Sequence, residues 1–154
     1  MATTLQMIEA VVQRLKAKFP ALAVEYFPDK PDEYRLNHPK GALLVSYSGG
    51  KFGESIDVTY IAQPRDVEIT ITVVMRQLNG RGGAVDVLDL VRTALLGFRM
   101  PDCRKMRATD EKFLGETAGL WQYVVDFSAE AMLVEDAEGD GGPLLTTVNY
   151  EEAS

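Results

Sequence analysis

From Leu120 to Glu135 the chain alternates in polarity. Trp121, Tyr123, Val125, Phe127, Ala129 and Ala131 fall on one side, and Gln122, Asp126, Ser128 and Glu130 fall on the other. A period of two over this distance is the signature of a β-strand with one face buried. Strands usually run to about 3–10 residues, so one this long bends or reaches beyond its sheet. A second run, Val67–Leu78, alternates in the same way. Val67, Ile69, Ile71, Val73 and Met75 share one face, and the segment is rich in β-branched residues. Two such strands commit the chain to a sheet that needs an apolar cover.

The cover is legible as two helices. Thr3 and Gln6 have the spacing of a capping box. Leu5, Ile8, Val12, Leu15 and Phe19 then recur every three or four residues, and Pro20 stops the helix at or before Phe19. A second helix fits Ala84–Leu96, with Leu88, Val91 and Leu95 on one face and Gly97 as its C-terminal cap. Asp86 and Asp89 near its start and Arg92 near its end complement the helix dipole. Short strands are expected at Leu22–Phe27 and Ala42–Tyr47, divided by the Pro-Asp turns at 28–33. Residues 49–66 hold Gly49, Gly50, Gly53 and Pro64 and show no clear period, which predicts a long loop. Residues 103–113 read as a basic, weakly alternating strand and Gly115–Gly119 as a turn. The expected fold is α+β in the order α-β-β-β-α-β-β, two helices packed on one face of a mainly antiparallel sheet.

A chain of 154 residues with 46% hydrophobic side chains fits one domain, taken as residues 1–135, followed by an acidic, glycine-rich arm at 136–154. The net charge of −7 is unevenly spread. Lys112 is the last basic residue, and nine acidic side chains follow it. Such a balance disfavours sequence-independent nucleic-acid binding, which needs Lys and Arg to replace phosphate counterions. No apolar run approaches the roughly 18 residues of a membrane span, and the N-terminal residues lack a secretory pattern. Beyond Pro143, Leu144–Tyr150 is expected to pair as a strand only where something offers an edge.

The vocabulary for catalysis is sparse. The single Cys103 and single His38 leave no disulfide framework, no cysteine zinc site and no His-pair metal motif. Gly80-Arg81-Gly82-Gly83 opens a helix after a strand, as a phosphate loop would, but no Gly-Lys-Ser/Thr follows and the spacing is not Gly-x-Gly-x-x-Gly. A strand-to-helix turn is the expected role. Pro101-Asp102 with Asp110-Glu111-Lys112 resembles the acid-x-lysine pattern of metal-dependent nucleases. Asp110–Lys112 lies near a turn, however, whereas that pattern normally sits on an apolar core strand. Catalytic, metal and cofactor sites are all expected to be absent.

Three stretches carry a resemblance. They are Phe27–Ala42 (Phe-Pro-Asp-Lys-Pro-Asp-Glu-Tyr-Arg-Leu-Asn-His-Pro-Lys-Gly-Ala), Leu78–Ala84 with Leu88–Arg92, and Gly119–Tyr123. Together with the opening helix they resemble the tail terminator, or tail-completion, proteins of Mu-like contractile-tailed bacteriophages and prophages. The resemblance implies a virion protein, made in the host cytoplasm, that forms a hexameric ring on the head-proximal end of the tail tube. There it stops polymerisation and presents a docking surface to the neck. Implied partners are further copies of the chain, the tail tube protein, the sheath and a head-completion protein, with DNA only passing through the lumen. A head-to-tail ring needs two different complementary patches per subunit. The candidates are Lys51, Phe52, Tyr60 and Arg65 in the 49–66 segment, and Phe113, Trp121 and Tyr123 in the hairpin around 111–124. The alternatives are a non-enzymatic adaptor binding through a sheet edge and, more remotely, the metal-dependent nuclease.

Overall fold

The structure is a computed structural model that describes residues 1–136. The first helix, α1, spans Thr4–Lys18. Its capping box is reciprocal: the Gln6 amide donates to the Thr3 hydroxyl at 3.1 Å, and the Thr3 amide donates to the Gln6 side chain at 2.9 Å. Met7, Val11, Val12 and Leu15 form the buried stripe. Leu5, expected on that face, is instead 68% exposed, because it lies on the stripe's flank in the first turn.

Strand β1 (Ala23–Tyr26) leads through a 3-10 turn at Pro31–Glu33 to β2 (Gly41–Phe52) and β3 (Ala62–Met75). Helix α2 (Ala84–Leu95) follows, then β4 (Arg107–Thr117) and β5 (Leu120–Val134). The order is α-β-β-β-α-β-β, as the periodicities predict. The five strands form one mostly antiparallel sheet in the order β1-β2-β3-β5-β4. β1 runs parallel to β2, with Val24 opposite Leu43, and β4 is antiparallel to β5, with Phe113 opposite Tyr123.

The described residues form two compact units, Met1–Lys51 with Arg65–Ala131, and Phe52–Pro64 with residues 132–136. In the first unit the alternation is realised as expected. Val67, Ile69, Ile71, Val73 and Met75 of β3 are buried with Val125, Phe127, Ala129 and Ala131 of β5, against Val11 and Leu15 of α1 and Leu88, Val91 and Leu95 of α2. The opposite face carries a smaller apolar cluster of Ala42, Leu44 and Val74, flanked by Tyr34, Leu36 and Leu120.

Two boundaries differ from the sequence reading. Half of the predicted 49–66 loop is strand, since β2 continues to Phe52 and β3 begins at Ala62, leaving 53–61 between them. Glycine reads as a strand breaker, but here it serves close approach: a Cβ at position 50 would lie 2.8 Å from the Asp66 carbonyl oxygen. The strand expected at 103–113 is shifted to β4, and the turn shrinks to Ala118-Gly119, both at positive φ (54° and 81°). Cys103 and Lys105 make only isolated bridges, to Ala131 and Arg99. Gly80–Gly83 is the expected strand-to-helix turn. The Gly82 amide donates to the Asp86 carboxylate at 2.8 Å, so the helix's own acid occupies a donor that a phosphate would use.

In the second unit, the Gly53 amide donates to the Pro64 carbonyl at 2.8 Å and the Ile56 amide to the Ala62 carbonyl at 2.7 Å. The Asp57 carboxylate accepts from the Thr59 amide (2.8 Å) and hydroxyl (2.7 Å), and these bonds hold its pKa below the usual carboxylate range. Glu135 closes the unit, donating its amide to the Ile61 carbonyl and accepting the Ile61 amide at its side chain.

Candidate functional site

Strand β4 is one edge of the sheet, β1 being the other, and every residue of β4 except Gly115 is exposed. Its alternation is therefore weak, because neither face rests on a core. What it carries is an aromatic cluster. Phe113 stacks on Trp121 with ring centroids 6.3 Å apart and tilts against Tyr123 at 5.0 Å. Trp121 and Tyr123 are half-buried against the main core, while Phe113 stands 53% exposed on top of them. Three of the candidate residues are thus brought together on one hairpin. The register shifts at Ala108/Asp110 and Phe113/Gly115 bend this edge, a device that discourages indiscriminate strand pairing.

Phe52 and Tyr60 belong to the second unit. Phe52 is 63% exposed there, and Ile56, Val58, Tyr60 and Ile61 are exposed as well. Five large apolar side chains within ten residues make this segment a second candidate contact surface. Lys51 and Arg65 lie in the first unit. Lys51 is exposed and lines a polar groove with Asp66, Glu68, Arg107 and Asp126. Arg65 is half-buried: it donates to the Thr4 hydroxyl at 2.8 Å, and its guanidinium carbon lies 5.8 Å from the centre of the Tyr47 ring. The seven residues therefore sort into one aromatic cluster, one apolar segment, one groove lysine and one arginine tied into the fold.

A feature absent from the sequence reading is a largely apolar groove of about 530 Å³ on the sheet face opposite the helices. Leu44, Val74 and Leu120 line it, together with Phe27, Pro31 and Leu36 of the proline-bounded segment. Burial raises the Tyr34 phenol above its ordinary range, and the Glu25 carboxylate adds to that shift. The signal that could have found this groove is the pair Leu44 and Val74, apolar at positions where alternation calls for polar residues.

Of the residues in the nuclease-like pattern, Asp102 and Glu111 are engaged elsewhere. Asp102 accepts the Ala2 amide, and Glu111 pairs with Arg92, which also binds Asp89. No group of three His, Cys, Asp or Glu side chains able to hold a metal ion occurs among the described residues. His38 Nδ1 accepts the amides of Lys40 (3.1 Å) and Gly41 (3.3 Å), setting the turn into β2. Among the described residues, no helix is long and apolar enough to cross a membrane.

Fold and surfaces together define an α+β domain that presents an exposed aromatic hairpin and an exposed apolar segment. The chain belongs to the Gp37 protein family, whose pattern matches residues 11–152. No curated protein matches the sequence. Among solved structures, the chain is similar to one from the virion of a native gene transfer agent particle. The two are 18% identical with a TM-score of 0.46, over 86% of this chain and 92% of the other.

Proposed function

We propose that this protein is a phage tail terminator, which closes into a ring on the head-proximal end of the tail tube, stops its polymerisation and receives the neck. The observation that carries the proposal is the presence of two dissimilar exposed patches, the Phe113 cluster on β4–β5 and the Phe52–Ile61 segment. A head-to-tail contact joins two different surfaces, and only such contacts generate a ring of more than two copies. The sequence resemblance to tail terminators supplies the ring size of six and the partners: tube protein, sheath and a head-completion protein. Its place would be the virion, reached from the host cytoplasm. Residues 1–135 form the ring body, and the 136–154 arm, nearly all of it outside the described residues, supplies a further contact. The role requires no catalytic step and no cofactor, and DNA only crosses the lumen.

The test is to mix the purified chain with its cognate, polymerised tail tube and count bound copies by native mass measurement and electron microscopy. Six copies at one end of each tube support the proposal. Binding along the tube wall, or a single copy per partner, removes it. The free edge of β4 favours the adaptor as the second reading, and it would show itself as a one-to-one complex with a host or phage protein.

A further inference from the structure

Lys40, Arg76 and Arg81 converge on a pocket of about 210 Å³ whose other walls are Pro39, Gln77 and Gly82. No acid lines it. None of the three cations forms an ion pair with a carboxylate among residues 1–135. Two cations elsewhere, Arg92 and Arg104, do have carboxylate partners, and the groove holding Lys51 and Arg107 is lined by Asp66, Glu68 and Asp126. Asp86, near in sequence, is committed to the Gly82 amide.

The pocket is also held in shape. Arg76 donates to the His38 carbonyl at 3.0 Å and to the Leu36 carbonyl at 3.3 Å. The Gln77 amide group donates to the carbonyls of Asn79 (2.5 Å) and Arg81 (3.4 Å), which fixes the loop that carries Arg81. His38 in turn fixes the turn that carries Lys40. Two guanidinium groups and an ammonium in a small, braced space suit a carboxylate pair, which guanidinium can bind through two parallel hydrogen bonds.

Eighteen residues, 137–154, lie beyond the described chain, and they carry Glu138, Asp140, Glu151 and Glu152 with no Lys or Arg. We propose that the Lys40–Arg76–Arg81 pocket receives the acidic C-terminal segment of a second copy of this chain, a contact that presupposes the ring. Duplex DNA fits the pocket less well. It presents a charge about every 1.7 Å along its axis and calls for an extended basic track, not one small pocket on a chain of net charge −7.

The test is charge reversal and rescue in the full-length chain, measured as subunit association on tube ends at low and high salt. Lys40→Glu with Arg81→Glu, which spares the bracing Arg76, should weaken association about tenfold or more at low salt and little at high salt. Reversing Glu138 and Asp140, or Glu151 and Glu152, to lysine should weaken it likewise. Combining the pocket and arm reversals should restore it. Association unchanged by the pocket reversal, or not restored by the combination, would overturn the proposal while leaving a ring that still forms intact. Rescue confined to isolated monomers would make the chain's own segment the occupant and overturn it too, as would loss of duplex binding with association untouched. A wild-type chain that never associates on tube ends removes both this contact and the ring.

Discussion

Cys103 shows how much a single residue says once its neighbours are known. The sequence says only that it has no disulfide partner, and the structure buries it as a small apolar residue with Sγ 3.7 Å from the Met7 sulfur. Desolvation pushes its thiol above the ordinary range, outweighing the nearby Arg65 charge. Native protein should therefore react with a thiol reagent far more slowly than unfolded protein at pH 8, and equal rates would contradict the burial. The sign for stability follows from linkage. The folded pKa is raised, so the contribution is fully present below the unfolded thiol's pKa and is lost as pH rises through the folded one. Alkaline destabilisation should shrink in Cys103→Ala. Thr3 is the simpler case, since its capping role is legible from the Gln6 spacing alone. Thr3→Ala should cost about 1 kcal/mol in denaturant unfolding. Arg65 was not legible in this way. A loop at 49–66 would leave it exposed, but β3 carries it to Thr4 and Tyr47. Charge reversal there would disturb the fold, so Phe52 is the cleaner probe of surface function.

At the scale of elements, legibility followed one-sided burial. β3 and β5 each lay one face on the core, and their period of two is plain in the sequence. β4 has no buried face and the outer half of β2 is rich in serine and glycine, so neither writes a polarity pattern, and their limits emerge only from pairing. The tight β4–β5 turn offers a direct check. Ala118 and Gly119 both take positive φ, the geometry in which Asn-Gly is preferred and alanine is strained. Ala118→Asn should raise stability by roughly 0.5–1 kcal/mol. A loss of stability would mean that the turn is differently formed. Gly83 gives the opposite expectation, because a Cβ there would lie 2.7 Å from the backbone oxygens of Leu78 and Asn79. Gly83→Ala should destabilise by about 1–3 kcal/mol, read as a lower unfolding midpoint.

For the whole molecule, the order of helices and strands and the main core follow from sequence periodicity. The apolar groove and the basic pocket do not, since each gathers residues from segments distant along the chain. The candidate interface residues were legible only as residue types, five aromatics with one lysine and one arginine. Their sorting into a stacked cluster and a separate apolar segment required the fold. Phe52 is 63% exposed, so Phe52→Ala should leave unfolding within about 0.5 kcal/mol of wild type. If the Phe52–Ile61 segment is a ring contact, the same change should still lower the number of copies held at a tube end.

If this chain closes the growing end of a tail tube, as proposed, tube growth tests it most directly. Tube protein polymerising in the presence of excess chain should stop elongating, giving short tubes of fixed number whose ends no longer accept subunits. Tubes that lengthen at their normal rate under the same excess would contradict the account.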